Sequence, residues 1–282
     1  MNVATDAPKR PALRYYGGKW RLAPWIISFF PEHKNYVEPC GGAASVLLQK
    51  PRSPLETYND LDGNVVNFFR VLRDQPDELI RKIRLTPWAR EEYELSLEPC
   101  EDEAERARRF FTMMWMGISA STTASNDSAG FRVSRGNDFR DWILYYDDIE
   151  KIASRFIGVQ IEQREASYII EKFTNDDSLI YFDPPYIEEE RTKNDWYAID
   201  WNGEDLHTEA ATLLRACQGF VVVSGYACPL YTELYEAHGW QRFDKEAQTN
   251  SGGKRIESVW LSPRTAEALN RPQQAELFKS RA

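Results

Sequence analysis

Histidine and cysteine are scarce: the 282 residues hold three of the first and four of the second. Cys40, Cys100, Cys217 and Cys228 form no CxxC pair, and MNVATDAPKR has no charged segment leading into an apolar one, so the thiols read as reduced, with no disulfide framework and no zinc site. So few histidines also argue against a metal cluster. Long apolar runs are lacking too. FVVV at 220–223 is typical of the longest, far short of the roughly 20 residues that span a bilayer, which points to a cytoplasmic protein without a membrane partner. Positive charge is in deficit: 35 Lys and Arg against 44 Asp and Glu leave a net charge of −9. Phosphate binding is driven by Lys and Arg, so any contact with nucleic acid must be local. Bases do cluster at Arg106, Arg108 and Arg109, at Arg132, Arg135 and Arg140, and at Lys254 and Arg255. The first cluster lies in EDEAERARR, where acids alternate with the bases, and reads as a solvated helix face.

What is present is an alternation of strand and helix signals that breaks once and resumes. NYVEP (35–39) reads as a strand end, GGAASVLLQK (41–50) as a glycine turn opening a helix, and ETYND (56–60) as the next strand. GNVVNFFRVLRD keeps Val65, Val66, Phe69 and Leu72 at helical spacing. From 86 to 154 the pattern changes to two helical stretches and the polar SASTTASNDSAG, which suggests a largely helical insert. Strands return in VQIE, LIYFDPPY and GFVVVSGY, with EDLHTEAATLLRAC and PLYTELYEAHG as helices. WQRFDK and RIESVWLSP, joined by TNSGG, read as a terminal β-hairpin. The expectation is an α/β chain built on a doubly wound sheet: a mobile segment at 1–12, a catalytic domain split between 13–85 and 155–264, the insert at 86–154, and a polar tail at 265–282.

Three positions then mark a ligand edge. Leu179 to Phe182 form a short interior strand that Pro184 and Pro185 must end, because proline cannot donate to a ladder. Asp183 and Tyr186 are therefore presented at the strand's carboxyl edge, where open α/β sheets bind ligands. In YVEPCGGAAS, Glu38 ends a strand, and Gly41 and Gly42 allow close backbone approach before a helix begins. About twenty residues on, Asp60 ends the next strand, the placement by which an acid meets ribose hydroxyls. GxxxxGK[ST] is absent, so a phosphate-cradling loop is disfavoured. A carboxylate at each strand end suits a cationic adenosyl ligand better than a triphosphate.

RYYGGKW, YVEPCGGAASV, YNDLD and DPPY, in that order, resemble the Dam-like adenine-N6 DNA methyltransferases that use S-adenosylmethionine. The resemblance runs from about Leu13 to Pro263 and is thin across the insert. It implies a Rossmann-like methyltransferase sheet, a target-recognition role for 86–154, double-stranded DNA as partner, and a monomer or weak dimer. It further implies a site-specific enzyme of the restriction-modification type, with no metal. Asp183 carboxylate and the Pro184 carbonyl would accept the adenine amino protons, localising a lone pair otherwise delocalised into the ring. Tyr186 would stack on the flipped base. Lys19 would face the methionine carboxylate with Tyr15 packed beside it, Glu38 the methionine amino group, and Asp60 the ribose. Pro39, Gly41, Gly42 and Asp183 complete the cofactor set.

Arg132 and Arg135, in GFRVSRG, are the candidate DNA contacts, on a stretch whose alternation suits a β-ribbon. His207 and Ser224 match family positions but fit a surface histidine and a buried strand-end serine equally well. The chain departs from the family where an aromatic is common (Cys40) and where a glycine is common (Ala44). Gln163 to Ala166 lack the usual acid-aromatic pair, and the insert lacks the recognition signature of the GATC-specific members. Two rival readings remain open at this point: a methyltransferase acting on RNA adenine, cytosine N4 or a protein amide, and a DNA-binding relative without catalysis.

Overall fold

The computed structural model describes residues 7–118, 130–133, 137–186, 203–248 and 254–270. In chain order the elements are α1 (Ala23–Ile27), β1 (Asn35–Glu38), α2 (Ser45–Gln49), β2 (Leu55–Asn59), α3 (Gly63–Asp74), α4 (Pro76–Leu85), α5 (Arg90–Ser96), α6 (Glu103–Met116), α7 (Asn137–Phe156) and β3 (Gln160–Glu162). There follow α8 (Ala166–Phe173), β4 (Ser178–Phe182), α9 (Glu204–Ala216), β5 (Phe220–Gly225), α10 (Pro229–Leu234), β6 (Gln241–Gln248), β7 (Lys254–Leu261) and α11 (Pro263–Asn270). Among the described residues the strands form one seven-stranded sheet in the order β3-β2-β1-β4-β5-β7-β6. The first five are parallel, whereas β7 runs antiparallel to both β5 and β6.

Strand alternation divides the core between the two faces of this sheet. Tyr36, Tyr58, Leu179, Tyr181 and Val222 join one buried cluster, with side chains of α2, α3, α6 and α7. Val37, Ile180, Phe182, Val221 and Val223 join the other, with α8, α9 and α10. Because β4 is buried on both sides, Leu179 to Phe182 read as an unbroken apolar and aromatic run instead of an alternating one, while β1, buried as fully, sets Tyr36 and Val37 between Asn35 and Glu38. The parallel order starts at β1, which has β2 on one side and β4 on the other. That reversal opens a crevice at the carboxyl ends of β1 and β4.

Helix boundaries follow local chemistry. Asp62 caps α3 by accepting from the Asn64 N–H at 2.9 Å, and Asp102 caps α6 through the Glu105 N–H at 2.6 Å, each satisfying an orphan donor of the first turn. Among the described residues, the insert's buried side chains belong to the same cluster as those of the sheet. Phe111 of α6 stacks on Phe68 of α3 with ring centroids 6.0 Å apart, Trp142 of α7 lies 5.3 Å from Phe111, and Phe156 stacks on Phe69 at 4.4 Å. Residues 86–154 thus share one buried cluster with the sheet.

Three expectations are corrected. The polar tail does not begin at residue 265, since Pro263–Asn270 is helix α11, with Thr265 and Ala266 buried and the Thr265 hydroxyl bonded to both backbone groups of Val221. Nor does the packed chain begin at Leu13, because Ala12 is fully buried. And Arg108 is not part of a solvated face. It is 7% exposed, its guanidinium held by Glu105, by Glu92 at 2.7 Å and by the Thr86 hydroxyl at 3.0 Å. A stem packed against its neighbours and a head surrounded by acids let an arginine be buried where an average over the segment says exposed.

Ala44 holds a left-handed backbone, φ 53°, at the start of α2 and is fully buried. A side chain in that region costs roughly 1 kcal/mol, partly offset by the greater unfolded-state entropy of glycine. Ala44→Gly is therefore expected to stabilise the fold by less than about 1 kcal/mol in a denaturant titration. A clear loss of stability would show that the methyl group's packing outweighs the strain.

Candidate active site

The crevice is lined by carboxylates. Glu38 ends β1, Asp60 follows β2 and Asp183 follows β4, and the order β2-β1-β4 sets them side by side along one edge. Asp60 is tied to the backbone. Its Oδ2 accepts from the Gly42 N–H at 2.7 Å and its Oδ1 from the Asp62 N–H at 2.9 Å, which leaves further lone pairs on each oxygen. Glu38 is 2% exposed, and its Oε2 has no hydrogen-bond partner among the described residues.

Between β1 and α2 the chain is pressed against its neighbours. A Cβ at Gly41 would lie 2.1 Å from the Tyr58 ring, and the Gly41 N–H is bonded to the Asn59 carbonyl at 2.7 Å. Gly42 has φ +46°, with the Tyr15 ring over it, and its carbonyl accepts from the Tyr58 hydroxyl at 2.7 Å. Pro39 is buried, its carbonyl held by the Asn59 amide at 2.7 Å. Glycine at both positions is a steric requirement here and not a matter of flexibility.

Lys19 enters from a turn closed by the Gly18 N–H on the Tyr15 carbonyl. The ammonium sits 3.1 Å from Asp183 Oδ1, donates to the Gly17 carbonyl at 2.9 Å, and lies 4.6 Å from the Tyr186 ring centroid. Lys19, Asp183 and Tyr186, far apart in sequence, therefore form one cluster. Pro184 is buried directly behind Asp183. Tyr186 donates its hydroxyl to Glu257 Oε2 at 3.0 Å and meets Tyr226 edge to face at 4.4 Å, and the Arg255 guanidinium donates to the Tyr226 hydroxyl at 2.8 Å. Glu257 and Tyr226 were not singled out from the sequence. A signal existed for Tyr226, which follows β5 as Asp183 follows β4.

Burial dominates the electrostatics. It pushes the Glu38 carboxyl up to about 8, with the nearby Asp183 adding to the rise. Burial likewise lifts Asp60 to about 6, against the pull of the Asp62 and Gly42 N–H groups. It raises Asp183 as well, against the opposing charge of Lys19. Burial alone would lower Lys19, but Asp183 and Glu257 outweigh it and hold the ammonium above its ordinary value. The site is thus short of positive charge. Among the described residues no three His, Cys, Asp or Glu side chains converge as metal ligands, and no helix is long and apolar enough to cross a membrane.

Other sequence candidates fall elsewhere. The guanidinium of Arg132 donates to the carbonyls of Gly117 and Ile118 at 3.0 Å each, so it braces its own loop, where Gly117 and Phe131 form a single antiparallel bridge. Arg135 lies outside the described residues, as does most of the polar stretch before it. His207 is not on the surface: it is 1% exposed and hydrogen-bonded to Tyr231 at 3.1 Å. Ser224 is a buried strand serine bonded to the Tyr181 hydroxyl at 2.9 Å. Gln163, Arg164 and Glu165 are exposed after β3.

Comparison with known proteins agrees on a single kind of chemistry. A model of the family described as D12 class N6 adenine-specific DNA methyltransferase matches residues 15–251. The chain is 28% identical, over 89% of its length and 94% of the relative's, to the type II methyltransferase M1.LlaDCHI of Lactococcus lactis. It is 26% identical to a DNA adenine methylase of Vibrio cholerae, covering 72% of this chain and 74% of that one. A DNA adenine methylase of Haemophilus influenzae is 25% identical, with 83% and 85% covered.

Glu38 predicts a pH signature of the ligand-free protein. Its folded value, about 8, lies above the ordinary 4.5, so between these limits the folded state holds the extra proton and stability falls as pH rises. Glu38→Gln removes that loss, and its gain in melting temperature over the parent is expected to be small near about pH 5 and largest near about pH 9. A gain independent of pH, in thermal scans of both proteins across that range, would mean Glu38 does not titrate this way.

Proposed function

Because the chain belongs to the D12 class of N6 adenine-specific DNA methyltransferases, and is therefore an enzyme that methylates adenine in DNA, we propose that it holds S-adenosylmethionine along the β1–β2 edge. Asp183, Pro184 and Tyr186 face a target adenine turned out of the duplex. The observation that carries this reading is the row of carboxylates, buried Glu38 and partly buried Asp60 and Asp183, at the ends of three adjacent strands. One buried Glu38 oxygen is unsatisfied by the described residues, and a buried carboxylate calls for a cationic partner.

When bound, S-adenosylmethionine supplies an electrophilic methyl group on a cationic sulfonium. Glu38 holds the methionine ammonium, Asp60 accepts from the ribose hydroxyls with its remaining lone pairs, and Gly41 and Gly42, with Pro39 before them, let backbone approach the ligand. Tyr15 packs beside Lys19, whose ammonium faces the methionine carboxylate. Lys19 cannot hold that carboxylate and Asp183 at full strength together, so turning toward the one frees the other. Asp183 then accepts a hydrogen bond from one amino N–H and the Pro184 carbonyl from the other, which localises the adenine lone pair and offsets the positive charge that would grow at N6 as the sulfonium gave up its methyl group and left as a neutral thioether, the one surplus N6 proton passing to the Asp183 carboxylate. The two prolines keep acid, carbonyl and ring in fixed relation, and Tyr186 gives the base a stacking surface worth about 1 to 3 kcal/mol.

The helical insert, 86–154, carries target recognition in this reading, with Arg132 and Arg135 toward the DNA. Arg132 reaches it by leaving the carbonyls of Gly117 and Ile118. The enzyme acts site-specifically, in the cytoplasm, as a monomer or weak dimer. Incubating unmethylated plasmid with labelled S-adenosylmethionine, then digesting to nucleosides, should yield N6-methyl-2′-deoxyadenosine as the labelled product.

Asp183→Ala is expected to abolish that product while S-adenosylmethionine still binds, because the acid acts on the amine. Equal losses of binding and turnover would move Asp183 to a cofactor role. Asp60→Ala should weaken calorimetric binding of S-adenosylmethionine by about 1.5 to 3 kcal/mol, the worth of one charge-assisted hydrogen bond. Unchanged affinity would remove Asp60 from the site.

A further inference from the structure

We infer that Glu257 is a positioning residue for methyl transfer: its carboxylate, projecting from β7, fixes the Tyr186 ring through the phenol hydroxyl, so that the stacking surface beside Asp183 is set before DNA arrives. The inference rests on the reading just given. Its basis is geometric. The two prolines fix the backbone leading to Tyr186, and the torsions of its ring are set by the groups its side chain meets. Besides Lys19 over its face and a hydrogen bond to Asp183, the ring is held from the far end of the sheet. Glu257 Oε2 takes the Tyr186 hydroxyl at 3.0 Å, and Tyr226, at the end of β5, closes on the ring edge at 4.4 Å.

β7 alternates, so Arg255, Glu257 and Val259 share a face, and Val259 is rooted in the same core cluster against which Tyr15 packs. That face turns one carboxylate toward Tyr186 and one guanidinium toward Tyr226. Arg255 fixes Tyr226 by bonding its hydroxyl at 2.8 Å and lying 5.3 Å from its ring centroid. A phenol-to-carboxylate bond is charge-assisted, and β7 is paired along its length with β6, Glu257 lying opposite Lys245, and from the next residue, Ser258, with β5 as well. The pair therefore transfers the rigidity of the sheet to a ring at its edge. Glu257 also adds to the field around Lys19, giving that ammonium a second acidic neighbour when Asp183 is engaged with the base.

The test is single-turnover methylation of unmethylated plasmid with saturating labelled S-adenosylmethionine, for the parent enzyme, Glu257→Leu, Glu257→Gln, Tyr186→Phe and the Glu257→Leu/Tyr186→Phe double variant. Glu257→Leu should slow methyl transfer by about tenfold, the worth of the lost bond, with the S-adenosylmethionine dissociation constant unchanged. Glutamine keeps an acceptor for the phenol, so Glu257→Gln should recover most of that loss. The double variant should be no slower than the slower single one, because both remove the same bond. Additive losses, or a Glu257→Leu enzyme as fast as the parent, overturn the inference while leaving the parent's activity as support for the methyltransferase reading. A parent that methylates no adenine overturns both. If Glu257→Leu does not fold, Tyr186→Phe removes the bond from its other end without touching β7, and a Tyr186→Phe enzyme as fast as the parent then overturns the inference.

Discussion

Everything at the β1–β4 crevice follows from keeping carboxylates where water is scarce. A buried acid is stable only if hydrogen bonds or opposite charge replace its hydration, and the three acids here are supplied unequally. Asp60 is satisfied by backbone N–H groups of its own turn and of the glycine turn. Asp183 is held by Lys19. Glu38 has an oxygen without a partner among the described residues, and burial pushes its carboxyl up to about 8, above the value of about 6 at Asp60. The inequality gives the edge a direction, from a prearranged acceptor at β2 to an unmet demand for a cation at β1. The surrounding steric detail, Tyr58 against Gly41 and Tyr15 over Gly42, keeps that edge open to a ligand and closed to side chains.

An acidic chain that acts on DNA fits the same pattern. The net charge of −9 is an average, and much of the positive charge is spent internally. Lys50 and Arg155 are sunk on Glu56 at the opposite end of β2, Arg108 on Glu92 and Glu105, and Arg132 on backbone carbonyls. Counting bases along the sequence therefore overstates what is available to phosphates in the described part of the chain. Charge that is neutralised inside the protein contributes little to the field outside it.

How much of this could be read beforehand depends on range. Strand ends and glycine turns were legible because proline and glycine act within a few residues: Pro184 and Pro185 end β4, and Gly41 and Gly42 mark the turn. Helix α11 carried such a signal too, Ser262 before Pro263, and the polar composition of the tail masked it. Pairings across the chain were not legible. Nothing near Lys19 names Asp183, and nothing near Tyr186 names Glu257, because only the closed sheet brings β4, β5 and β7 to one edge. His207 was ambiguous for the same reason: its burial depends on Tyr231 from another helix.

The stacked rings Phe68–Phe111 and Phe69–Phe156, with Trp142 against Phe111, bear on how such a protein can be re-engineered. A recognition region that folds on its own can be exchanged like a cassette, with only its two junctions to repair. Here the region between 86 and 154 supplies Phe111 and Trp142 to the packing that supports β2 through α3, so a foreign segment would have to match the aromatic surface of α3. Chimeras that keep α3 through α7 together as one block are the ones whose interiors remain filled.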